Sequence, residues 1–177
     1  MFWLLFNQRL GTMGCVLLLA LFVPGCGQNA PLPPPALKTV SDWFAIKVGD
    51  QTVQMQFAIF SAEMDHGLME RSDLGSDQGM LFVYRKPTPM SFWMRNTPLP
   101  LDIGFFSREG ELKEIYTMLP FDEKATGSRS NALQFALEMN RGWFRAHGVR
   151  PGMKLDLAAL REALKARGMA PEDFGLQ

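Results

Sequence analysis

The chain has 177 residues, of which 47% are hydrophobic and 20% charged, a composition typical of a globular protein rather than a disordered, collagenous or disulfide-built one. Lysine and arginine total 18, as do aspartate and glutamate, so the formal net charge is zero. Because the sequence has no basic run, it lacks the electrostatic signature of a nucleic-acid-binding protein, and we expect no nucleic-acid partner.

The N-terminal part of the sequence has the features of an export signal. Residues 10–23 form a nearly uninterrupted apolar run after Arg9, the only charged residue among the first 37. A run of this length is too short to span a bilayer, which needs about 20 residues, but it matches the core of a signal peptide. It ends at Val-Pro-Gly-Cys, residues 23–26, which resembles the lipobox of bacterial lipoproteins. We expect residues 1–25 to be a signal peptide, with an uncleaved N-terminal anchor as the alternative.

Cys26 and the segment after it are expected to form a membrane anchor and a linker. Lipidation of Cys26 would hold the protein on the membrane in the cell envelope, facing the periplasm or the outside. Four of the five residues 31–35 are proline, which favours extended polyproline geometry and excludes a helix. Residues 26–40 are therefore assigned as the lipidated cysteine and its linker. Because Cys15 would leave with the signal peptide, no thiol would remain for catalysis or metal binding.

The sequence after the linker predicts strands first. Residues 44–48 and 52–59 alternate between apolar and polar side chains, and Gly49 and Asp50 suit a two-residue turn, which together predict a β-hairpin. Ser61 is expected to cap a short helix that continues to about residue 71. Further apolar or alternating segments predict five more strands, at 79–84, 91–95, 101–106, 111–119 and 133–139.

The rest of the chain predicts short helices that pack on these strands. A helix is expected over 140–147, a short strand over 153–155, and a longer helix over 156–167 with Asp156 as its N-cap. Hairpins in succession with only short helices predict an α+β fold. We expect a compact, mainly antiparallel domain with a small barrel-like sheet and two or three short helices.

Several segments carry a resemblance to a known family. They are Gly-Leu-Met at 67–69 followed by Arg71, Gly-Met-Leu-Phe-Val at 79–83, Phe-Trp-Met at 92–94, Asn-Thr at 96–97, Pro-Leu-Asp-Ile at 100–103, and Leu-Glu-x-Asn-x-Gly at 137–142. In this order they resemble the bacterial and archaeal DUF192 (UPF0127) family, whose function is unassigned. The resemblance covers about residues 41–157, and residues 158–177 are assigned as a C-terminal helical extension. It implies a mostly β, α+β domain, often exported, with a polar groove beside the tryptophan and aspartate segment.

A candidate ligand groove is expected near Pro98 and Pro100, because two prolines stiffen the chain and fix the angles of the neighbouring polar side chains. The residues expected to line it are Arg71, Trp93, Asn96, Thr97, Asp102 and Glu138. Trp93 lies on the more polar face of its predicted strand, where an indole can either floor a groove or pack in the core. We expect such a groove to bind a small molecule, a cell-wall fragment or an envelope protein.

The two carboxylates of this set leave other interpretations open. Asp102 lies between Leu101 and Ile103, whose side chains are expected to face the core, so its carboxylate must either point to the other face of the sheet or be paired. Arg71 is the candidate, either in a structural clamp or with both side chains at the ligand. Glu138 can form a salt bridge or, with a pKa raised by burial, act as an acid or base. Asp102 and Glu138 would together be the acid/base pair of a hydrolase. A non-catalytic structural or assembly role is the third interpretation.

The sequence assigns no metal site, cofactor or catalytic residue. Its two histidines, His66 and His147, are far apart and have no partner at a metal-binding spacing. The methionines lack the dense clustering of a copper site and are expected to fill the core.

Overall fold

A computed structural model describes residues 36–177 of the chain. The strands are β1 (Phe44–Val48), β2 (Gln51–Ala58), β3 (Gln78–Thr88), β4 (Ser91–Phe92), β5 (Leu101–Ser107), β6 (Leu112–Met118), β7 (Thr126–Gly127) and β8 (Leu133–Asn140). The helices are α1 (Ser61–His66), α2 (Trp143–Ala146), α3 (Leu157–Ala166) and a 3-10 helix, Pro171–Phe174. The predicted signal peptide, Cys26 and most of the predicted linker lie outside the described residues.

The main sheet has six strands in the order β1-β2-β3-β8-β5-β6, and β4 pairs with β7 in a separate two-stranded sheet. All neighbours in the main sheet are antiparallel except β2 and β3, which run parallel. This confirms the predicted α+β class with a mainly antiparallel sheet. The sheet is open rather than closed, but residues 153–155 join its outer strands: the Gly49 N–H donates to the Lys154 carbonyl and the Leu112 N–H to the Met153 carbonyl, each at 2.8 Å.

The predicted β-hairpin forms as expected from its alternating pattern. β1 pairs with β2 from Phe44 opposite Met55 to Val48 opposite Gln51. Gly49 has a φ of +58°, a left-handed conformation that glycine adopts at low cost, and this permits the tight turn. The apolar residues of the alternation face the core, while the polar ones between them are exposed for most of β1.

α1 connects the parallel pair and is shorter than predicted. It ends at Gly67, whose φ of +51° breaks the helical backbone, so residues 68–71 are not helical. Ser61 is the first helical residue rather than the N-cap, which is Phe60. The Phe60 side chain has no oxygen that could cap the helix. Instead, the Glu63 carboxylate accepts hydrogen bonds from the Ile59 and Phe60 N–H groups at the start of α1, at 2.9 and 3.2 Å.

Both faces of the central strands are buried. In β8, Leu137 and Met139 belong to one hydrophobic cluster and Ala136 to a second cluster on the opposite face. The sequence predicted a less apolar face that includes Gln134 and Glu138, yet every residue from 133 to 139 is buried. The second cluster covers that face with side chains from β3 and from the segment after it, which are Met80, Phe82, Met90, Phe92 and Met94.

The C-terminal residues complete the first cluster. Asp156 caps α3 as predicted, with its carboxylate accepting from the Ala158 and Ala159 N–H groups at 3.0 Å each. Leu160 and Leu164 of α3 are fully buried, and so are Phe174 and, almost entirely, Leu176. Residues 158–177 therefore pack against the same core as the β-sheet.

Candidate ligand cavity

A cavity of about 340 Å³ opens beside α1 on the face of the sheet that carries the second cluster. Its walls come from α1 and the turn after it, β3, β4, β8 and the loops around residues 93–97 and 123–125. The lining residues are Met64, Asp65, His66, Gly67, Leu68, Met69, Phe82, Tyr84, Ser91, Phe92, Trp93, Thr97, Glu123, Ala125 and Glu138.

Glu138 lies at the base of this cavity on the central strand β8. It sits opposite Met80 of β3 and Ile103 of β5, and only 4% of its surface is exposed. Within residues 36–177 no side chain or N–H group is found donating to its carboxyl group, and burial alone raises its pKa to about 8. At neutral pH, Glu138 is therefore mostly protonated, and its carboxyl group can both donate and accept a hydrogen bond.

The other ionisable lining residues make the cavity acidic. Asp65 and Glu123 join Glu138, and His66 is the one side chain that can carry a positive charge, since none of the described lining residues is lysine or arginine. Burial, and then the nearby Glu138 and Asp65, raise the pKa of the Tyr84 hydroxyl. The Tyr84 hydroxyl therefore stays protonated over the physiological range and can donate a hydrogen bond.

Trp93 and Thr97 also line the cavity, which brings three of the six predicted groove residues together. Trp93 is 48% exposed, and the Arg95 guanidinium lies 5.6 Å from the centre of its ring. Thr97 is buried, and its hydroxyl donates to the Arg95 carbonyl at 3.1 Å. The indole is thus available to a ligand, while the Thr97 hydroxyl is used to hold the loop.

The loops at the cavity contain the three non-glycine residues with positive φ in the described chain: Glu70 at +60°, Asn96 at +52° and Phe121 at +59°. The Glu70 N–H donates to the Asn96 carbonyl at 2.7 Å, and the Phe121 N–H donates to the Thr97 carbonyl at 3.1 Å. Such conformations cost of order 1 kcal/mol or more and persist where the surroundings enforce them. The loops are therefore cross-linked to one another around the cavity.

Asp102 lies on the opposite face of the sheet. Its carboxylate accepts from the Thr117 hydroxyl and the Gly142 N–H, both at 2.7 Å, and it borders separate openings near α2. The predicted pairing with Arg71 is wrong, because Arg71 donates to the Gln56 side-chain carbonyl at 2.7 Å and lies 5.7 Å from the Trp43 ring centre. Neither Arg71 nor the exposed Asn96 lines the cavity.

The register of β5 and β8 excludes the acid/base pair of a hydrolase. Asp102 sits opposite Met139, whereas Glu138 sits opposite Ile103. Paired residues of adjacent strands share a face and successive residues alternate between faces, so the two carboxyl groups lie on opposite sides of the sheet. They cannot reach the same bond. Within residues 36–177 there is also no group of three or more metal-ligating side chains arranged to hold an ion.

The DUF192 family profile, described as "Uncharacterized ACR", matches residues 44–157. This chain belongs to the DUF192 family. The match contains every residue that lines the cavity, so the cavity lies wholly within the DUF192 domain. No curated protein matches the chain.

Two crystal structures are similar to the DUF192 domain of this chain. One is a protein of unknown function from Novosphingobium aromaticivorans DSM 12444, with 32% sequence identity, a TM-score of 0.61, and coverage of 71% of this chain and 94% of that one. The other, from Sinorhizobium meliloti 1021, is described as a candidate transcription regulator. It has 29% identity, a TM-score of 0.61, and coverage of 64% of this chain and 92% of that one.

Sequence reasoning missed several residues of the cavity in the DUF192 domain. Asp65, His66, Tyr84, Ser91 and Glu123 come from four separate segments, and only the packing of α1 beside β3 and β4 brings them together. One signal was available in the sequence, since His66 directly precedes the Gly-Leu-Met motif. A helix that ends at this glycine has Asp65 and His66 in its last turn, next to the motif.

Proposed function

We propose that this protein is an exported, lipid-anchored component of the cell envelope whose DUF192 domain binds a small molecule in the cavity beside α1. Support for export and anchoring comes from the apolar run over residues 10–23 and from Cys26, which precede the described part of the chain. Among residues 36–177, no helix has both the length and the apolar character needed to cross a membrane.

The observation that carries the binding proposal is the carboxyl group of Glu138, a largely buried residue that has no hydrogen-bond partner among residues 36–177 and lines an open cavity. Burial disfavours the ionised form of this carboxyl group, so a glutamate here is a feature that folding alone does not favour. A ligand that hydrogen-bonds to Glu138 would make use of the carboxyl group. Function, rather than stability, gives the simplest reason for a glutamate at this position.

The size and the lining of the cavity favour a small molecule over a protein or a polymer. Its volume of about 340 Å³ lies near the lower end of the roughly 300–1,000 Å³ typical of small-molecule sites. Phe82, Phe92 and Trp93 provide aromatic surface, while Tyr84 and Glu138 provide directed polar groups. This combination of apolar walls and a few polar groups is typical of a site that binds one compact ligand in a fixed orientation.

Binding is tested by screening a library of small metabolites, including amino-sugar and peptide fragments of the cell wall, by thermal shift of residues 36–177 and of the full chain. A ligand of the cavity is expected to raise the Tm of the wild-type protein, because it binds the folded state alone. The rise should be lost in Trp93→Ala and Glu138→Gln but kept in Asp102→Asn, which alters the opposite face. Equal responses in all three variants would contradict the assignment of the cavity.

The anchor is tested separately by metabolic labelling with radioactive palmitate in a bacterial host. The wild-type chain is expected to incorporate label, and Cys26→Ser to lose it. Cys15→Ser is the matched control, since that cysteine lies within the predicted signal peptide. Label in the Cys26→Ser protein would contradict lipidation at this residue.

A further inference from the structure

We propose that the cavity ligand is an organic cation, and that its ammonium group binds at Glu138 between the aromatic walls. This inference rests on the proposed function of the cavity and specifies the chemical class of the ligand. Three features of the cavity support it, which are the balance of charge, the aromatic surface and the protonation of Glu138.

The charge balance of the cavity disfavours anions and favours cations. Asp65 and Glu123 lie at the cavity together with Glu138, and His66 is the one described lining residue that can oppose them. An anionic ligand would meet the carboxyl groups of Asp65 and Glu123, and a basic side chain, that of Arg95, lies beside the described lining, against the Trp93 ring. A cation is attracted by the same carboxyl groups, and because Asp65 and Glu123 are exposed, water screens part of that attraction.

The aromatic side chains suit an ammonium or alkylammonium group. Phe82, Tyr84, Phe92 and Trp93 all line the cavity, and a cation over an aromatic face gains about 0.5–2 kcal/mol, with the larger values where water is excluded. The exposed indole of Trp93 already attracts one cation, since the Arg95 guanidinium lies 5.6 Å from its ring centre. The cavity thus combines aromatic faces with a carboxyl group, as cation-binding sites do.

Glu138 provides a signature by which a cation can be recognised. Glu138 is buried and lines the cavity together with Tyr84, Asp65, His66 and Glu123, and burial keeps the proton on its carboxyl group. A bound cation stabilises the ionised form, and the proton passes to solvent. Binding of a cation is therefore coupled to proton release, and its affinity rises with pH up to about 8, whereas a neutral ligand needs no such release.

The inference is tested with two matched pairs of probes by isothermal titration calorimetry and NMR titration. The cations are choline and 2-phenylethylammonium, and their neutral counterparts are 3,3-dimethyl-1-butanol and 2-phenylethanol. At neutral pH at least one cation is expected to bind about ten-fold or more tightly than its neutral counterpart. Its titration in buffers of different ionisation enthalpy is expected to show proton release.

Two variants assign the effect to the cavity. Glu138→Gln keeps the shape of the side chain but has no proton to release, so it is expected to weaken cation binding about ten-fold and to abolish the proton release. Glu162→Gln removes an exposed carboxylate on α3 and is the matched control, with unchanged binding. NMR spectra of both variants would establish that they are folded.

The outcomes separate this inference from the proposed function. Equal binding of the cation and its neutral counterpart, or cation binding that survives Glu138→Gln with the proton release intact, would overturn the cation assignment. If the alcohols or neutral metabolites bind and Trp93→Ala removes their binding, the cavity remains a ligand site with a neutral ligand. If neither cation binds at millimolar concentration, the inference is wrong whatever the metabolite screen shows.

Discussion

The two faces of the central sheet each contain a buried carboxyl group, and the two groups differ in their hydrogen-bond partners. Asp102 on β5 and Glu138 on β8 lie on paired strands, one register position apart, and both are more than nine-tenths buried. Asp102 accepts hydrogen bonds from Thr117 and Gly142, whereas Glu138 has no donor within residues 36–177. Burial by itself therefore does not tell whether such a group holds the fold together or is kept for a ligand; its hydrogen-bond partners do.

The surroundings explain why the two faces differ. Around Asp102, the turn before α2 brings the Gly142 N–H to the carboxylate. α2 lies close to the sheet because Gly104 has no side chain, and an added Cβ there would come within 2.8 Å of the Phe144 ring. Around Glu138, α1, β4 and the neighbouring loops do not pack directly on β8, and the cavity lies between them and the strand.

The largest effect is expected from pH on the Glu138 face. The pKa of Glu138 rises from its ordinary value of 4.5 to about 8 on folding, so between these values the folded state holds a proton that the unfolded state loses. This contribution to stability is complete below about pH 4.5 and is lost as the pH rises to 8. Relative to Glu138→Gln, the wild-type chain is expected to lose on the order of 4 kcal/mol across that range, measured by urea unfolding at a series of pH values. A difference independent of pH would show that the pKa of Glu138 does not change on folding.

The next largest effect is expected from Asp102→Ala. The substitution removes the hydrogen bonds from the Thr117 hydroxyl, which is exposed, and from the Gly142 N–H, which is half-buried. Hydrogen bonds to a charged group contribute about 1.5–3 kcal/mol, and less where water can take the place of the lost acceptor, which predicts a loss of about 2 kcal/mol in the free energy of unfolding. Thr117→Val removes one of the two donors and should cost about half as much. If Asp102→Ala is as stable as the wild type, the proposed contrast between the faces fails.

A smaller effect on stability is expected at Asp156, whose carboxylate caps the N-terminus of α3 instead of lying on the sheet. Asp156→Ala removes the acceptor for two N–H groups at the start of α3 and should cost about 1 kcal/mol in chemical denaturation. Asp156→Ser, which keeps a capping oxygen, should restore most of that loss. No recovery with serine would mean that charge, rather than capping, stabilises α3 here.

The smallest effect is expected at Glu162, whose carboxylate is bound to Lys165 on the exposed side of α3. Glu162→Gln should leave the unfolding midpoint in urea unchanged, because exposed ion pairs of this kind contribute little and are screened by salt. A measurable loss would show that hydrogen-bond partners alone do not rank the carboxylates of this protein.

Local features of the fold could be predicted from the sequence. The β1-β2 hairpin and the Asp156 cap depend on residues close together in the chain, where side-chain period and turn chemistry decide the outcome. The family motifs gave the class of the domain. The end of α1 and the extent of β4 were less accurate. The left-handed Gly67 ends α1 early, and β4 stops at Phe92 because its partner β7 has only two residues; periodicity shows neither of these ends.

The candidate site was only partly predictable. Glu138 and Trp93 stand out in the sequence, but Asp102 was grouped with them because the sequence does not give the register between β5 and β8. The true partners of Asp102 are 15 and 40 residues away, and a distant arginine looked equally suitable before the register was known. Alternation along one strand shows which of its residues share a face. Whether residues of two different strands lie on the same face depends on how those strands pair, which the sequence does not show.

The Arg167 side chain holds α1, which forms one wall of the cavity, against the sheet. It is almost fully buried, donates to the Phe57 carbonyl at 2.8 Å and is paired with Glu63, which also binds the backbone just before α1. An outward movement of α1 would take Glu63 away from this guanidinium and leave a buried charge without its partner, which costs several kcal/mol. The α1 wall of the cavity is therefore held in place from behind, by a contact that is itself outside the cavity.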